Sequence, residues 1–146
     1  MRISARSRYG IRLMINLAAN YNKRNAFLKD VARQEEISEK YLSQIVIPLR
    51  GAGLISATRG VHGGYALAKS PGEITAKEVV EVLEGDLNLV ECNRVQNACN
   101  RVAGCASRGL WEGLSGSITE YLSSVTLDDL LKIKLEKALK TIEYSI

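Results

Sequence analysis

LKDVARQEEISEKYLSQIVIPLRGAGLISATRGVHGGYALAK, residues 28–69, holds two short helical patterns, a tight turn, and two short alternating stretches around a run of glycines. The first pattern covers 28–36. Ser38 then offers an N-cap and Glu39 a first-turn charge that suits the helix dipole. A second pattern follows, with Tyr41, Leu42, Ile45, Val46 and Leu49 as its apolar side. Two short helices joined by a turn of this kind make a helix-turn-helix. Pro48 has no N–H for the carbonyl of Gln44, so the regular part of the second helix is expected to kink or end there. That leaves Ser38, Glu39, Lys40, Ser43 and Gln44 as a polar surface near its start, where such helices meet base edges.

Beyond Gly51-Ala52-Gly53, residues 54–59 form a short strand, 60–64 a glycine-rich turn, and 65–69 a return strand. A hairpin directly after a helix-turn-helix is a wing. The glycine run joins two strands and leads into no helix, which argues against a phosphate-cradling nucleotide loop. Arg59, at the wing tip, is placed to enter a minor groove or touch phosphate, and His62 is read as an exposed wing residue rather than a metal ligand.

Upstream, Tyr9, Leu13, Leu17 and Tyr21 recur every fourth position over 6–22, a helical stripe. Arg6, Arg8 and Arg12 stand at its start, where they oppose the helix dipole. Phosphate contact explains that placement; ordinary solvated arginines are the alternative. Downstream, Ser70-Pro71-Gly72 breaks the chain, and Thr75 to Glu78 matches a capping box for a short helix ending at Gly85. Residues 86–107 read as a loop carrying all three cysteines. Trp111, Leu114, Ile118, Tyr121 and Val125 then step by three and four, the spacing of an apolar seam, with Glu112, Ser115, Ser117 and Glu120 on the wet face. So long a helix has little else in the chain to pack on, so a second copy is the expected partner, with packing back onto its own domain as the alternative. Thr126, Asp128 and Asp129 start a last helix, whose leucines would cover the dimer or the wing domain. The expected architecture is mainly α with a small β-hairpin wing. Residues 1–70 form a winged helix-turn-helix DNA-binding domain, 71–107 a connecting helix and cysteine loop, and 108–146 a dimerisation helix and C-terminal helix.

Charge divides the chain in the same way. The net charge of +4 conceals +8 over residues 1–70 and −4 over 71–146. A basic half on an acidic half suits a phosphate-binding module joined to an assembly module, or simply an uneven solvated surface. No apolar run approaches the roughly 18–20 residues of a membrane span, and the polar, basic N-terminus lacks a signal-peptide core, so a cytoplasmic protein is expected. A single histidine, no paired carboxylates in a visible pocket and no Cys-x-x-Cys leave no catalytic set, so an enzyme is not expected.

Cys92, Cys99 and Cys105 are spaced too widely for the usual structural zinc pairs. Thiolates are soft ligands suited to iron–sulfur clusters, and a loop can wrap one. A redox thiol switch, zinc and inert cysteines stay open on spacing alone.

Several stretches together resemble a known family: Met1 to Ser4 with Arg8-Tyr9-Gly10, residues 37–45, residues 49–54, the wing 59–67, and the three-cysteine loop before Leu110-Trp111. They are similar, over residues 1 to about 131, to the IscR/NsrR/CymR family of winged-helix repressors. The resemblance implies a homodimer crossed through the long helix, with two recognition helices in successive major grooves of a palindromic operator in double-stranded DNA. On that footing Arg6, Arg8 and Arg50 would contact phosphates. Ser38, Lys40, Tyr41, Ser43 and Gln44 would face the major groove, and Arg59 the minor groove. For members with three cysteines it implies an iron–sulfur cluster on Cys92, Cys99 and Cys105. The IscR-like start at Arg8-Tyr9 favours 2Fe–2S over 4Fe–4S. IscR-like members place a histidine ligand where this chain has Arg108, and NsrR-like members an acidic partner-chain residue where it has Arg8. Glu91, Ser107, an acidic residue of the second copy, or a small thiol or solvent molecule remain as the fourth ligand. A CymR-like regulator without a cluster, signalled by a partner protein or by thiol oxidation, is the alternative.

Overall fold

The computed structural model describes residues 1–146. In chain order it has α1 (Ala5–Ala19), α2 (Leu28–Glu35), α3 (Glu39–Gly51), β1 (Ile55–Thr58), β2 (Gly64–Leu67), α4 (Ala76–Glu84), α5 (Glu91–Arg94), α6 (Ala106–Ser124) and α7 (Leu127–Ser145). Hydroxyl caps set most of the starts. Ser4 accepts from the Ser7 N–H at 3.2 Å, and Ser38 from the Tyr41 N–H at 3.3 Å. Thr75 and Thr126 each close a full capping box, with Glu78 and Asp129. Between α2 and α3 the chain turns on Glu36, held left-handed at φ 54°, and the Ile37 N–H returns to the Ala32 carbonyl at 3.0 Å. This is the helix-turn-helix.

β1 and β2 pair antiparallel from Ile55↔Leu67 to Thr58↔Gly64, forming the wing. Ala26, in the connection from α1 to α2, adds a further rung, exchanging both backbone hydrogen bonds with Tyr65 at 2.8 Å. Gly64 is required at this crossing. Its φ is 122°, and a Cβ there would stand 2.7 Å from the Ala26 carbonyl oxygen.

The core gathers around α1. Leu13 and Met14 meet Leu42, Ile45 and Leu49 of α3, Val31 of α2 and Val79 of α4, all essentially without solvent contact. Gly10 lets α4 approach, since a Cβ there would overlap Leu83. Past Leu83 the core receives only Leu127. That residue sits at an elbow stitched to α4: the Leu127 N–H donates to the Ile74 carbonyl at 2.9 Å, and the Ala76 N–H to the Val125 carbonyl at 2.8 Å.

Three expectations need correction. α3 does not end at Pro48 but runs through it to Gly51; the proline lies within one turn of the end, and Gln44, whose carbonyl loses its partner, is an exposed residue. The cysteine segment is not all loop, since it contains α5 and a 3₁₀ turn at Val102–Gly104. Ser115 is not on a wet face. It is 4% exposed and its hydroxyl accepts from the Leu89 N–H at 3.1 Å, because that side of α6 leans on the segment after α4. The apolar seam lies open instead, with Tyr121 69% and Leu110 62% exposed, and Leu135, Leu139 and Ile142 of α7 are uncovered as well. No helix is long and apolar enough to cross a membrane.

Candidate nucleic-acid interface and cysteine loop

Ser38, Lys40, Ser43 and Gln44 stand exposed on the first turns of α3, with the apolar side of the helix buried behind them. Two of these hydroxyls already have duties. Ser38 accepts the capping hydrogen bond, and Ser43 donates to the Lys40 carbonyl at 2.7 Å, so its lone pairs are what it can offer a base edge. Tyr41 is half-buried, its ring edge-on to Tyr9 at 5.7 Å and 89°. Arg8 and Arg12 lie 5.8 and 5.7 Å from the Tyr9 ring centre, so the start of α1 and the recognition helix share one aromatic contact.

The chain carries twenty Lys and Arg residues, and ion pairs engage only Arg12, Arg33, Lys69, Lys77, Arg94, Arg108, Lys132 and Lys134. Arg8, Lys40, Arg50 and Arg59 have no acidic partner, Arg6 has only the charge of Glu84 at longer range, and all five are exposed. Arg2, Lys23, Arg24 and Lys29 are equally free and exposed, and the sequence pattern did not single them out. Lys23 and Arg24 border a cleft of about 580 Å³ beside the wing, together with Phe27, Val61 and His62. Asn25 ties that loop to the wing by donating to the His62 carbonyl at 3.0 Å. The dipeptide Lys23-Arg24 in a polar turn was the available signal. Its nearness to the wing depends on the Ala26–Tyr65 rung, a contact across 39 positions that no local pattern encodes.

The three cysteines are free thiols, each half-exposed. Cys92 lies in α5, and Cys105 immediately precedes α6 without a side-chain capping hydrogen bond. Cys92 and Cys99 border one open cleft of about 580 Å³ with Asn93 and Arg108, while Cys105 is not part of its lining. No three ligating side chains are assembled around a common point. Hydrogen bonding from Ser107 and from the Arg108 backbone holds the Cys105 thiol below its usual pKa. The Cys99 sulfur accepts from the Arg101 N–H at 3.4 Å. Arg108 is committed to Glu112 at 2.7 Å, and the side-chain amide nitrogen of Asn93 is buried without a partner. Glu91 is exposed beside Arg94, and Ser107 lies 3.3 Å from the Cys105 sulfur.

Known proteins fit this arrangement. The family model described as Rrf2, iron-dependent transcriptional regulator, matches residues 3–133. The chain is 40% identical over 130 residues to the HTH-type transcriptional regulator CymR of Bacillus subtilis, covering 89% of each. It is 32% identical over 134 residues to the HTH-type transcriptional regulator IscR of Pectobacterium carotovorum, covering 92% of this chain and 81% of that one. The solved structure of CymR, the global cysteine regulator of B. subtilis, superposes with a TM-score of 0.77 at 38% identity, over 91% of this chain and 98% of that one. T. potens IscR gives 0.75 at 33% identity, over 92% and 88%. These relatives are named as regulators, not enzymes. The chain belongs to the Rrf2 family of winged-helix transcriptional regulators.

Proposed function

We propose that two copies of the chain, in the cytoplasm, bind a palindromic operator in double-stranded DNA, and that Cys92, Cys99 and Cys105 hold an iron–sulfur cluster whose presence sets that binding. The observation that carries the DNA reading is the set of unpaired cations on the wing, the recognition helix and the start of α1. An exposed cation not locked into an ion pair keeps its charge available for phosphate, and releasing counterions from DNA then drives binding. Arg6, Arg8 and Arg50 supply backbone contacts. Ser38, Lys40, Tyr41, Ser43 and Gln44 face the major groove, and Arg59 reaches the minor groove. The uncovered seam of α6 supports the homodimer, with residues 1–70 as the reading head and 108–146 as the arm.

For the cluster, the donor set fits by its chemistry. Three free thiols lie within a fourteen-residue stretch, and the unpartnered Asn93 amide beside Cys92 is a donor suited to a sulfide acceptor. A bound cluster, with 2Fe–2S favoured over 4Fe–4S, supplies an oxidant-sensitive and iron-dependent tie. Cys92 and Cys99 already share a cleft, so drawing Cys105 to them would order the loop against the start of α6. Purification without oxygen, with the visible spectrum and iron and sulfide counted per chain, tests this. Matched iron and sulfide, lost on replacing any one cysteine, is the expected result. A colourless protein that resists reconstitution yet binds a palindrome overturns the cluster reading.

That second outcome would favour a CymR-like regulator signalled by a partner protein or by thiol oxidation. The 40% identity to CymR and the unassembled thiols are the observations on its side.

A further inference from the structure

Glu35, the last residue of α2, is the only buried acidic residue in the chain. Its side chain is 11% exposed, and cations from two different helices meet on it. From α1, Arg12 Nε donates at 3.2 Å and Asn16 Nδ2 at 3.3 Å. From α7, Lys134 Nζ donates at 3.0 Å, across 99 positions of sequence. Arg12 also donates to the Glu35 main-chain carbonyl. Burial raises the carboxyl pKa, but the hydrogen bonds from Lys134 and Asn16, the lysine charge and Arg12 together leave it below the ordinary value.

Two features give this cluster more than a packing role. Glu35 immediately precedes Glu36, whose left-handed backbone turns the chain into the recognition helix. Lys134 is the only side chain of α7 with a hydrogen bond outside that helix and its cap. Otherwise α7 is held to the head by the Leu127 N–H on the Ile74 carbonyl at its very start and by leucines such as Leu130 and Leu131. Lys134 is thus the one directional contact beyond its first residue. The lysine end of the pair is half-exposed, at 47%, so the pair adds little net stability. It is directional, however, and removing the lysine leaves the buried Glu35 carboxylate with less compensation, which suits a joint.

We propose that Glu35 is a positioning residue: the Lys134–Glu35 pair fixes the angle between α7 and the recognition helix, and so sets the half-site separation that an operator must present. This rests on the dimeric reading above, in which α6 and α7 form the arm between two heads. A stiff joint tolerates one spacing. A loose one lets each head find its half-site over a range of spacings, and the advantage of simultaneous engagement is spread across them.

The test is a titration of palindromes whose half-sites are moved apart or together one base pair at a time, at fixed salt. Each added pair shifts a half-site by about 3.4 Å and rotates it by about 35°. The wild type is expected to prefer one spacing by about ten-fold over its neighbours. Lys134→Met, which keeps the aliphatic stem, is expected to flatten that preference to about three-fold or less, and Lys134→Arg to restore it. Glu35→Gln, checked for folding by circular dichroism, should flatten it likewise. If Lys134→Met weakens every palindrome equally and leaves the preference intact, the pair is merely structural and the proposal is overturned. If the wild type binds a single half-site as tightly as any palindrome, the dimeric reading fails and the joint falls with it.

Discussion

Residues up to Leu83 and residues from Leu87 onward are held in opposite ways. The first region buries a continuous apolar core and leaves most of its cations unpaired on the surface. The second contributes only Leu127 to that core. Three of its cations, Arg94, Arg108 and Lys132, pair with acids in their own helices, and Lys134 reaches back to Glu35 of the head. Its large apolar side chains, Leu110, Tyr121, Leu135 and Leu139 among them, face outward. Burial lets the head keep its positive charge free for a polyanion. The arm bares its apolar side, which is what a surface completed by another protein chain requires.

The contrast breaks first at the core. Leu13→Ala is expected to cost about 2–5 kcal/mol in urea denaturation, whereas Leu139→Ala should change the stability of the isolated chain by about 0.5 kcal/mol or less. Equal losses would mean that the two regions are one packed unit. Tyr121→Asp on the α6 seam should leave the head folded but give monomers in sedimentation, with palindrome affinity down about 100-fold. A variant that stays dimeric removes the seam from the interface. Within the head, Lys40→Ala and Arg59→Ala are each expected to weaken operator binding about ten-fold. Lys23→Ala and Arg24→Ala sharpen the picture of the free cations: each should lower the salt slope of binding by about one, with little change in sequence preference.

The smallest effect concerns the joint and pH. Because the folded Glu35 carboxyl titrates below its ordinary value, the stability it contributes is complete above that ordinary value, about 4.3, and is lost as pH falls through the folded one. The difference in Tm between wild type and Glu35→Gln should therefore be constant from pH 8 to about 5 and shrink below about 4. A difference that grows in acid contradicts the assignment.

Much of the head was legible in the sequence because its signals are local. Ser38, Thr75 and Gly64 act on residues within a turn of themselves or on the backbone they occupy, and the apolar stripes of α1 and α3 declare their buried sides. The misreadings arose where a distant neighbour decides. Ser115 looked solvent-facing by helical spacing until the segment at Leu89 covered it. Pro48 is the exception, a local signal that suggested a kink or an end although Gly51, where the helix does end, lies only one turn further on. Lys23 and Arg24 were passed over because the Ala26–Tyr65 rung brings them to the wing. The Lys134–Glu35 pair joins residues with no shared motif at all. Of the cysteine loop, the sequence carried the donor types and their spacing, and the conformation adds the unpartnered Asn93 amide beside them.

The most direct test of the whole account compares binding to a palindrome with binding to one of its half-sites across a salt series, using the same protein preparation. Two heads of free cations on one arm predict that the palindrome is bound about 100-fold or more tightly, with a log–log salt slope about twice that of the half-site. Equal affinities with equal slopes would contradict it, leaving the exposed arm and the unpaired cations without a common purpose.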